Sequence, residues 1–249
     1  MKIEDVNLLI TGAGKGIGRG LLEEFLNLNC KVYVFEKNSE LISDLQDNFK
    51  ELFVSQCDVS DDESVRSAME KMYNRGFYPN VLINNAGIIH SESLINMTSK
   101  TQRLHSRENW RKVMAVDLDS VFFVTSRFCE NLIMSRKKGL VISISSISAY
   151  GNPGQTAYSA AKAAVNSLMK TWSKELGPFG LRFAAISPGF LNTDSTKSAL
   201  NSNQIKTLER KIPLKKLGNV ENIFETAKFI IQNDYLTGNI IDVNGGLII

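Results

Sequence analysis

Short, continuously apolar runs alternate along this chain with longer runs in which apolar residues recur every three or four positions. Val81-Leu82-Ile83 and Leu140-Val141-Ile142 show no polar alternation, as strands buried on both faces do. The same criterion predicts seven strands: Asn7–Thr11, Lys31–Phe35, Leu52–Cys57, Val81–Asn84, Leu140–Ser145, Leu181–Ile186 and Asn239–Val243. Helical periodicity covers Ile17–Leu28, Asp62–Tyr73, Trp110–Met134, Thr156–Glu175 and Glu221–Ile231. Strand and helix alternate, which predicts an α/β fold built on a doubly wound, mostly parallel seven-stranded sheet with helices on both faces. No repeat, linker or low-complexity segment divides residues 1–249, so a single domain is expected. Two stretches read as local elaborations: 96–109, polar and basic, as a loop, and 192–212, ending before Pro213, as a helical flap.

Composition adds little beyond exclusions. A chain of 249 residues with 43% hydrophobic and 22% charged residues reads as an ordinary globular protein. A net charge of +3 is too small to imply nucleic acid or an acidic membrane as partner. No apolar run approaches the ~20 residues of a membrane span, and the segment from Met1 has no signal-peptide core, so a cytoplasmic protein is expected. Cys30, Cys57 and Cys129 are widely spaced, and only two histidines, His90 and His105, are present; no metal site is expected.

Leu8-Leu9-Ile10 leads into Thr11-Gly12-Ala13-Gly14-Lys15-Gly16-Ile17-Gly18, a buried strand running through a glycine-rich turn into a helix. Glycines let the backbone bend sharply there and let a pyrophosphate approach the free N–H groups of the helix start. The spacing, T-G-x-x-x-G-x-G, differs from the commoner G-x-G-x-x-G. It makes the expected fold Rossmann-like and the domain NAD(P)-binding. Glu36 ends the second strand, where an acid accepts from adenosine ribose hydroxyls and repels a 2′-phosphate. That favours NAD. Lys15 and Lys37 argue for NADP, since either could pair with that phosphate.

Tyr158 and Lys162 form a Y-x-x-x-K pair. A spacing of four puts both on one helix face, and a cation held beside a phenol favours phenolate, as an alcohol/ketone acid–base group requires. Such pairs are common by chance, and their order relative to the other motifs gives this one weight.

Taken together, these motifs resemble the short-chain dehydrogenase/reductase family over nearly all residues. Thr11–Gly18 matches its cofactor turn, and Cys57-Asp58-Val59 the segment that contacts adenine. Asn84-Asn85-Ala86-Gly87 matches N-N-A-G, which lines the cofactor after the fourth strand. Pro188-Gly189-Phe190-Leu191-Asn192-Thr193 matches P-G-x-x-x-T, whose Thr holds the nicotinamide carboxamide. Tyr235-Leu236-Thr237-Gly238 and Asp242–Gly246 match the C-terminal segment. The resemblance implies a catalytic set of Ser146, Tyr158 and Lys162, with Lys162 also on the nicotinamide ribose. It implies reversible hydride transfer between NAD(P)(H) and a secondary alcohol or ketone, and a homotetramer or dimer packed through the helices at 110–134 and 156–175. Val113, Val121, Phe128, Leu168 and Trp172 could serve that interface or the core.

Two departures stand out. The family's usual serine-to-tyrosine count fits Ser145 and leaves Ser146 one residue short; alignment through the strand favours Ser146, with Ser145 as the fallback. Asp117 stands where the family has an Asn that kinks a helix and holds a relay water. An ionised Asp117 would stabilise the Lys162 ammonium; a protonated one would mimic Asn. For substrate, His90, Ser91, Leu94, Tyr150, Asn152, Pro153 and Phe190 are candidate walls, with His90 and Asn152 as hydrogen-bonding groups. They suit a small polyol, sugar or hydroxy/keto compound about as well as an acyl chain. The basic loop Lys100–Arg111 reads as a solvated charged loop ahead of an anion site. The rivals are an NADPH-dependent 3-oxoacyl-[acyl-carrier-protein] reductase and a non-catalytic dinucleotide-binding module.

Overall fold

The structure, a computed structural model, describes residues 1–193, 196 and 201–249. Seven strands, β1 (Asn7–Thr11), β2 (Lys31–Glu36), β3 (Phe53–Gln56), β4 (Val81–Asn84), β5 (Gly139–Ile144), β6 (Leu181–Pro188) and β7 (Asn239–Val243), form one sheet in the order β3-β2-β1-β4-β5-β6-β7. Every neighbouring pair is parallel. The chain winds outward from β1 to β3 and then restarts at β4 on the other side of β1. That reversal opens a crevice beyond the carboxyl ends of β1 and β4.

The described helices are α1 (Gly16–Asn27), α2 (Ser39–Asn48), α3 (Asp62–Asn74), α4 (Arg107–Met114), α5 (Ser120–Met134), α6 (Thr156–Leu176), α7 (Ser202–Lys211) and α8 (Val220–Gln232). Alternation along the strands builds two apolar layers. Leu8, Ile10, Val81, Ile83, Leu140 and Ile142 pack with Leu21 and Phe25 of α1 and Phe224 and Ala227 of α8. Leu9, Leu82 and Val141 face the other way, onto Val65 and Met69 of α3, Val121 and Phe128 of α5 and Val165 of α6. Val113, Val121 and Phe128 are therefore core residues, at 4% exposure or less, and do not form a free face.

Several boundaries differ from the sequence reading. Helix α2 was not anticipated. Asn38 caps it by accepting from the Glu40 and Leu41 N–H groups, yet only Leu45 is buried, so its apolar signal is weak. The expected helix 110–134 begins earlier, at Arg107, with the Ser106 hydroxyl accepting from the Asn109 N–H. It is interrupted by a π turn at Ala115–Asp119. The expected loop 96–109 accordingly ends in helix, and an Ile95–Leu104 bridge pins its base. In the expected flap 192–212, α7 is helical and carries a capping box at Asn201/Gln204. The rest of that stretch lies partly outside the described residues.

Arg182 on β6 ties the sheet to the end of α8. Its Nη1 donates to the carbonyls of Ile230 (3.0 Å), Asn233 (2.9 Å) and Leu236 (3.0 Å), and Nη2 to that of Ile231 (3.1 Å). Ile230, Ile231 and Asn233 end α8, where the helix itself cannot satisfy the carbonyls, and Leu236 lies just beyond it. Arg182→Ala is expected to cost about 2–4 kcal/mol of unfolding free energy, read by urea denaturation.

Candidate active site

A cleft of about 1050 Å³ lies at the crevice between β1 and β4. Its floor is the turn after β1. Gly12 adopts φ +66°, which favours glycine, and a Cβ there would come within 2.9 Å of the Ala86 Cα. Gly18 packs so closely on the Gly12 carbonyl and the Asn85 amide that no side chain fits. The Thr11 hydroxyl accepts from the Asn85 and Ala86 N–H groups, both at 3.1 Å, and Asn85 Nδ2 donates to the Thr11 (3.1 Å) and Gly12 (2.8 Å) carbonyls. Helix α1 starts at Gly16, and its N-cap Lys15 makes no side-chain cap, leaving the first-turn amides open to an anion. This arrangement fits the pyrophosphate of a dinucleotide.

Lys15, Gly16, Ile17, Glu36, Asp58, Val59, Ala86, Gly87, Pro188, Gly189 and Thr193 also line the cleft. Thr11, Gly18 and Asn84 do not; they support its wall from behind. Asn84 is buried and donates to the hydroxyls of Thr125 (2.9 Å) and Ser143 (3.4 Å). Glu36 is only 8% exposed. Its Oε2 accepts from the Gly14 N–H at 3.0 Å, and Oε1 from those of Lys37 (2.9 Å) and Asn38 (3.1 Å). Lys37 Nζ meets Asp58 at 2.5 Å in a largely exposed pair. Burial alone would raise the Asp58 carboxyl, but Lys37 and Ser60 hold it below the usual carboxylate range.

At the far end of the cleft, α6 presents Tyr158 and Lys162 one turn apart, both buried. Lys162 Nζ lies 5.6 Å from the Tyr158 ring centre. It donates to the Ile144 carbonyl at 3.1 Å and pairs with Asp117 Oδ1 at 3.1 Å. Asp117 sits in the π turn, fully buried, and both its oxygens accept from the Ile88 N–H at 3.3 Å. Burial raises the Asp117 carboxyl above its ordinary value, with Lys162 pulling against it. Burial works against the Lys162 ammonium, but the opposing charges of Asp117 and Tyr158 leave its pKa raised. The pairing thus favours the ammonium form of Lys162.

Ser145 and Ser146 end β5 with different fates. Ser145 is buried and its hydroxyl donates to the Lys162 carbonyl at 3.4 Å. Ser146 is half-buried; its oxygen accepts from the Ser148 N–H at 3.1 Å, capping a short turn and leaving its own proton uncommitted. Both line the cleft.

Of the candidate substrate groups, Asn152, Ser91 and Phe190 line the cleft. His90 does not: its Nε2 meets Glu92 at 2.9 Å. Glu92 also accepts from the Ser106 N–H (2.8 Å) and Asn109 Nδ2 (3.0 Å), and with the His90 bond foremost its carboxyl is pulled down to about 2. Tyr150 turns outward to Asp242 at 3.1 Å, and Leu94 is 66% exposed. Ser148 and Gln155 complete the polar wall. Gln155 Oε1 accepts from the Ser148 hydroxyl (2.7 Å) and from Asn152 Nδ2 (3.0 Å).

The profile of the family described as Enoyl-(Acyl carrier protein) reductase matches residues 12–248. The chain is 35% identical over 255 residues to a 3-oxoacyl-[acyl-carrier-protein] reductase of Buchnera aphidicola, covering 99% of each. It is 32% identical to that of Thermotoga maritima over 257 residues, covering 100% of each. Among solved structures it resembles 4-hydroxyisoleucine dehydrogenase complexed with NADH, with TM-score 0.87, 25% identity, and 96% and 98% of the chains covered. A putative gluconate dehydrogenase from Agrobacterium tumefaciens has the same fold, with TM-score 0.90 at 22% identity and 99% and 97% covered.

The chain belongs to the short-chain dehydrogenase/reductase family. It is an NAD(P)-dependent oxidoreductase acting on hydroxyl and keto groups. The reading as a non-catalytic binding module gives way. Among the described residues, no helix is long and apolar enough to cross a membrane.

Proposed function

We propose that the protein interconverts a ketone and a secondary alcohol with NAD(H), acting on a small polyol, sugar or hydroxy/keto compound. The observation that carries this is the Tyr158–Lys162 pair beside Ser146 at the inner end of a dinucleotide-shaped cleft. The bound dinucleotide supplies or accepts the hydride. Tyr158 exchanges a proton with the substrate oxygen. Ser146, whose hydroxyl proton is uncommitted, donates to that oxygen and fixes it; the buried Ser145 is occupied with the Lys162 carbonyl. Lys162 has three donors, of which Ile144 and Asp117 take two, so one remains for the nicotinamide ribose. Asp117 stands behind Lys162 in the relay.

Glu36 supports NAD over NADP. Three N–H donors hold its carboxylate at the end of β2, where a 2′-phosphate would meet a fixed negative charge, and Lys37 is already paired with Asp58. Titration of the pure protein with NADH and NADPH checks this. At least about tenfold tighter NADH is expected, and tighter NADPH refutes the assignment.

A second reading, 3-oxoacyl-[acyl-carrier-protein] reductase, is favoured by the names of the curated relatives. The stretch Gly151–Gln155, whose Asn152 and Gln155 form the polar wall with Ser148, also resembles those enzymes. A panel of small polyols, sugars and hydroxy acids run beside 3-oxoacyl thioesters separates the two. Activity confined to the thioesters would replace the first reading.

We place contact with a second copy on the α5/α6 face, where Phe122 and Met134 are 52% and 80% exposed. Sedimentation at more than the 27.7 kDa monomer mass is expected, and a monomer would refute it.

A further inference from the structure

Lys162 places a cation beside Tyr158, and its charge is already matched inside the fold. Asp117 Oδ1 contacts Nζ at 3.1 Å, while the Tyr158 ring centre is 5.6 Å from the same nitrogen. An uncharged residue at 117 would leave the ammonium's field undivided. The groups around the pair come from several elements, and few are ionisable. Helix α6 contributes Tyr158 and Lys162, and the π turn Asp117. Strand β5 contributes the Ile144 carbonyl, the 84–88 segment the Ile88 amide, and α4 the apolar Val113 and Met114. The carboxylate is sealed from water, so its field is screened little by solvent or salt.

We propose that Asp117 is a fixed counter-charge that sets the pH window of the reaction. With it in place, both the alkaline limb of carbonyl reduction and the acid limb of alcohol oxidation lie at higher pH than they would with an uncharged residue. The inference rests on Tyr158 as the proton-exchanging group. In reduction the carbonyl carbon accepts a hydride from the reduced dinucleotide. The carbonyl oxygen takes the Tyr158 proton, and the phenolate left behind regains one from water. In oxidation the alcohol proton goes to the phenolate as the hydride leaves carbon. A negative charge close to Tyr158 disfavours the phenolate, so it prolongs reduction toward alkaline pH and delays oxidation. Asp117 touches Lys162 and the Ile88 amide and acts through them; it is a positioning residue.

Asp117→Asn removes the charge at nearly constant shape. Both limbs are expected to move down by about one pH unit. The cofactor-free protein supplies a second readout. The ultraviolet tyrosinate band of Tyr158, isolated as the difference from Tyr158→Phe in the same background, should emerge at lower pH in Asp117→Asn by a similar amount. Asp117→Ser repeats the test should the Asn variant not fold. Superimposed limbs and tyrosinate titrations in wild type and variant overturn the inference. Retained turnover in Tyr158→Phe instead overturns the catalytic reading beneath it, so the two failures are told apart.

Discussion

Tyr158→Phe is expected to lower turnover by about 10³-fold while leaving NAD(H) affinity within a factor of about two. The ring packs with Val113, Ala157 and Ala161, and Phe fills the same volume. Nothing in the pyrophosphate turn depends on the hydroxyl. What is lost is the group that exchanges the proton, so the deficit should fall on the chemical step in both directions. Steady-state rates with fluorescence titration of NADH separate the two effects. A variant retaining more than about a tenth of the rate would show that another group moves the proton.

Lys162→Met is expected to destabilise the fold as well as silence it, by about 3–5 kcal/mol near neutral pH. Asp117 would be left fully buried beside one amide, with no cation. It would take up a proton to escape that state, so its folded pKa would lie above its unfolded value. Its contribution is then fully present below the unfolded value and is lost as pH rises through the folded one. The variant should lose stability relative to wild type with increasing pH, and the gap should narrow in acid. Adding Asp117→Asn should restore most of the loss, because it removes the orphaned charge. Denaturation curves at several pH values measure this, and a gap independent of pH would place the damage in packing alone.

How much of this was legible in the chain depended on how local each signal was. Strands such as Val81–Asn84 announced themselves because burial on both faces forbids polar alternation. The cofactor turn was legible because it needs glycines within one short segment. Helix α2 was missed because it buries a single residue, Leu45, against the sheet. The π turn was missed because its one extra residue leaves the apolar rhythm of 110–134 almost unbroken. The Asp117–Lys162 contact joins residues far apart in sequence, so the sequence alone could not show that the two side chains meet. His90 read as a wall of the site because nothing in the sequence marks Glu92, two residues on, as the partner that turns it away.

The adjacent asparagines after β4 have one further consequence. Asn84 reaches into α5 and β5, whereas Asn85 reaches back to the turn that holds the dinucleotide. Two neighbouring side chains pointing opposite ways lock the redox half of the cleft to the interior of the sheet. Neither can change without disturbing both. The 89–106 segment lies outside that lock and is joined to the start of α6 through the Glu92 backbone, which pairs with Gln155 and accepts from the Thr156 N–H. The part of the cleft wall that segment contributes, Ile89 and Ser91, is thus held independently of the asparagines that fix the dinucleotide turn.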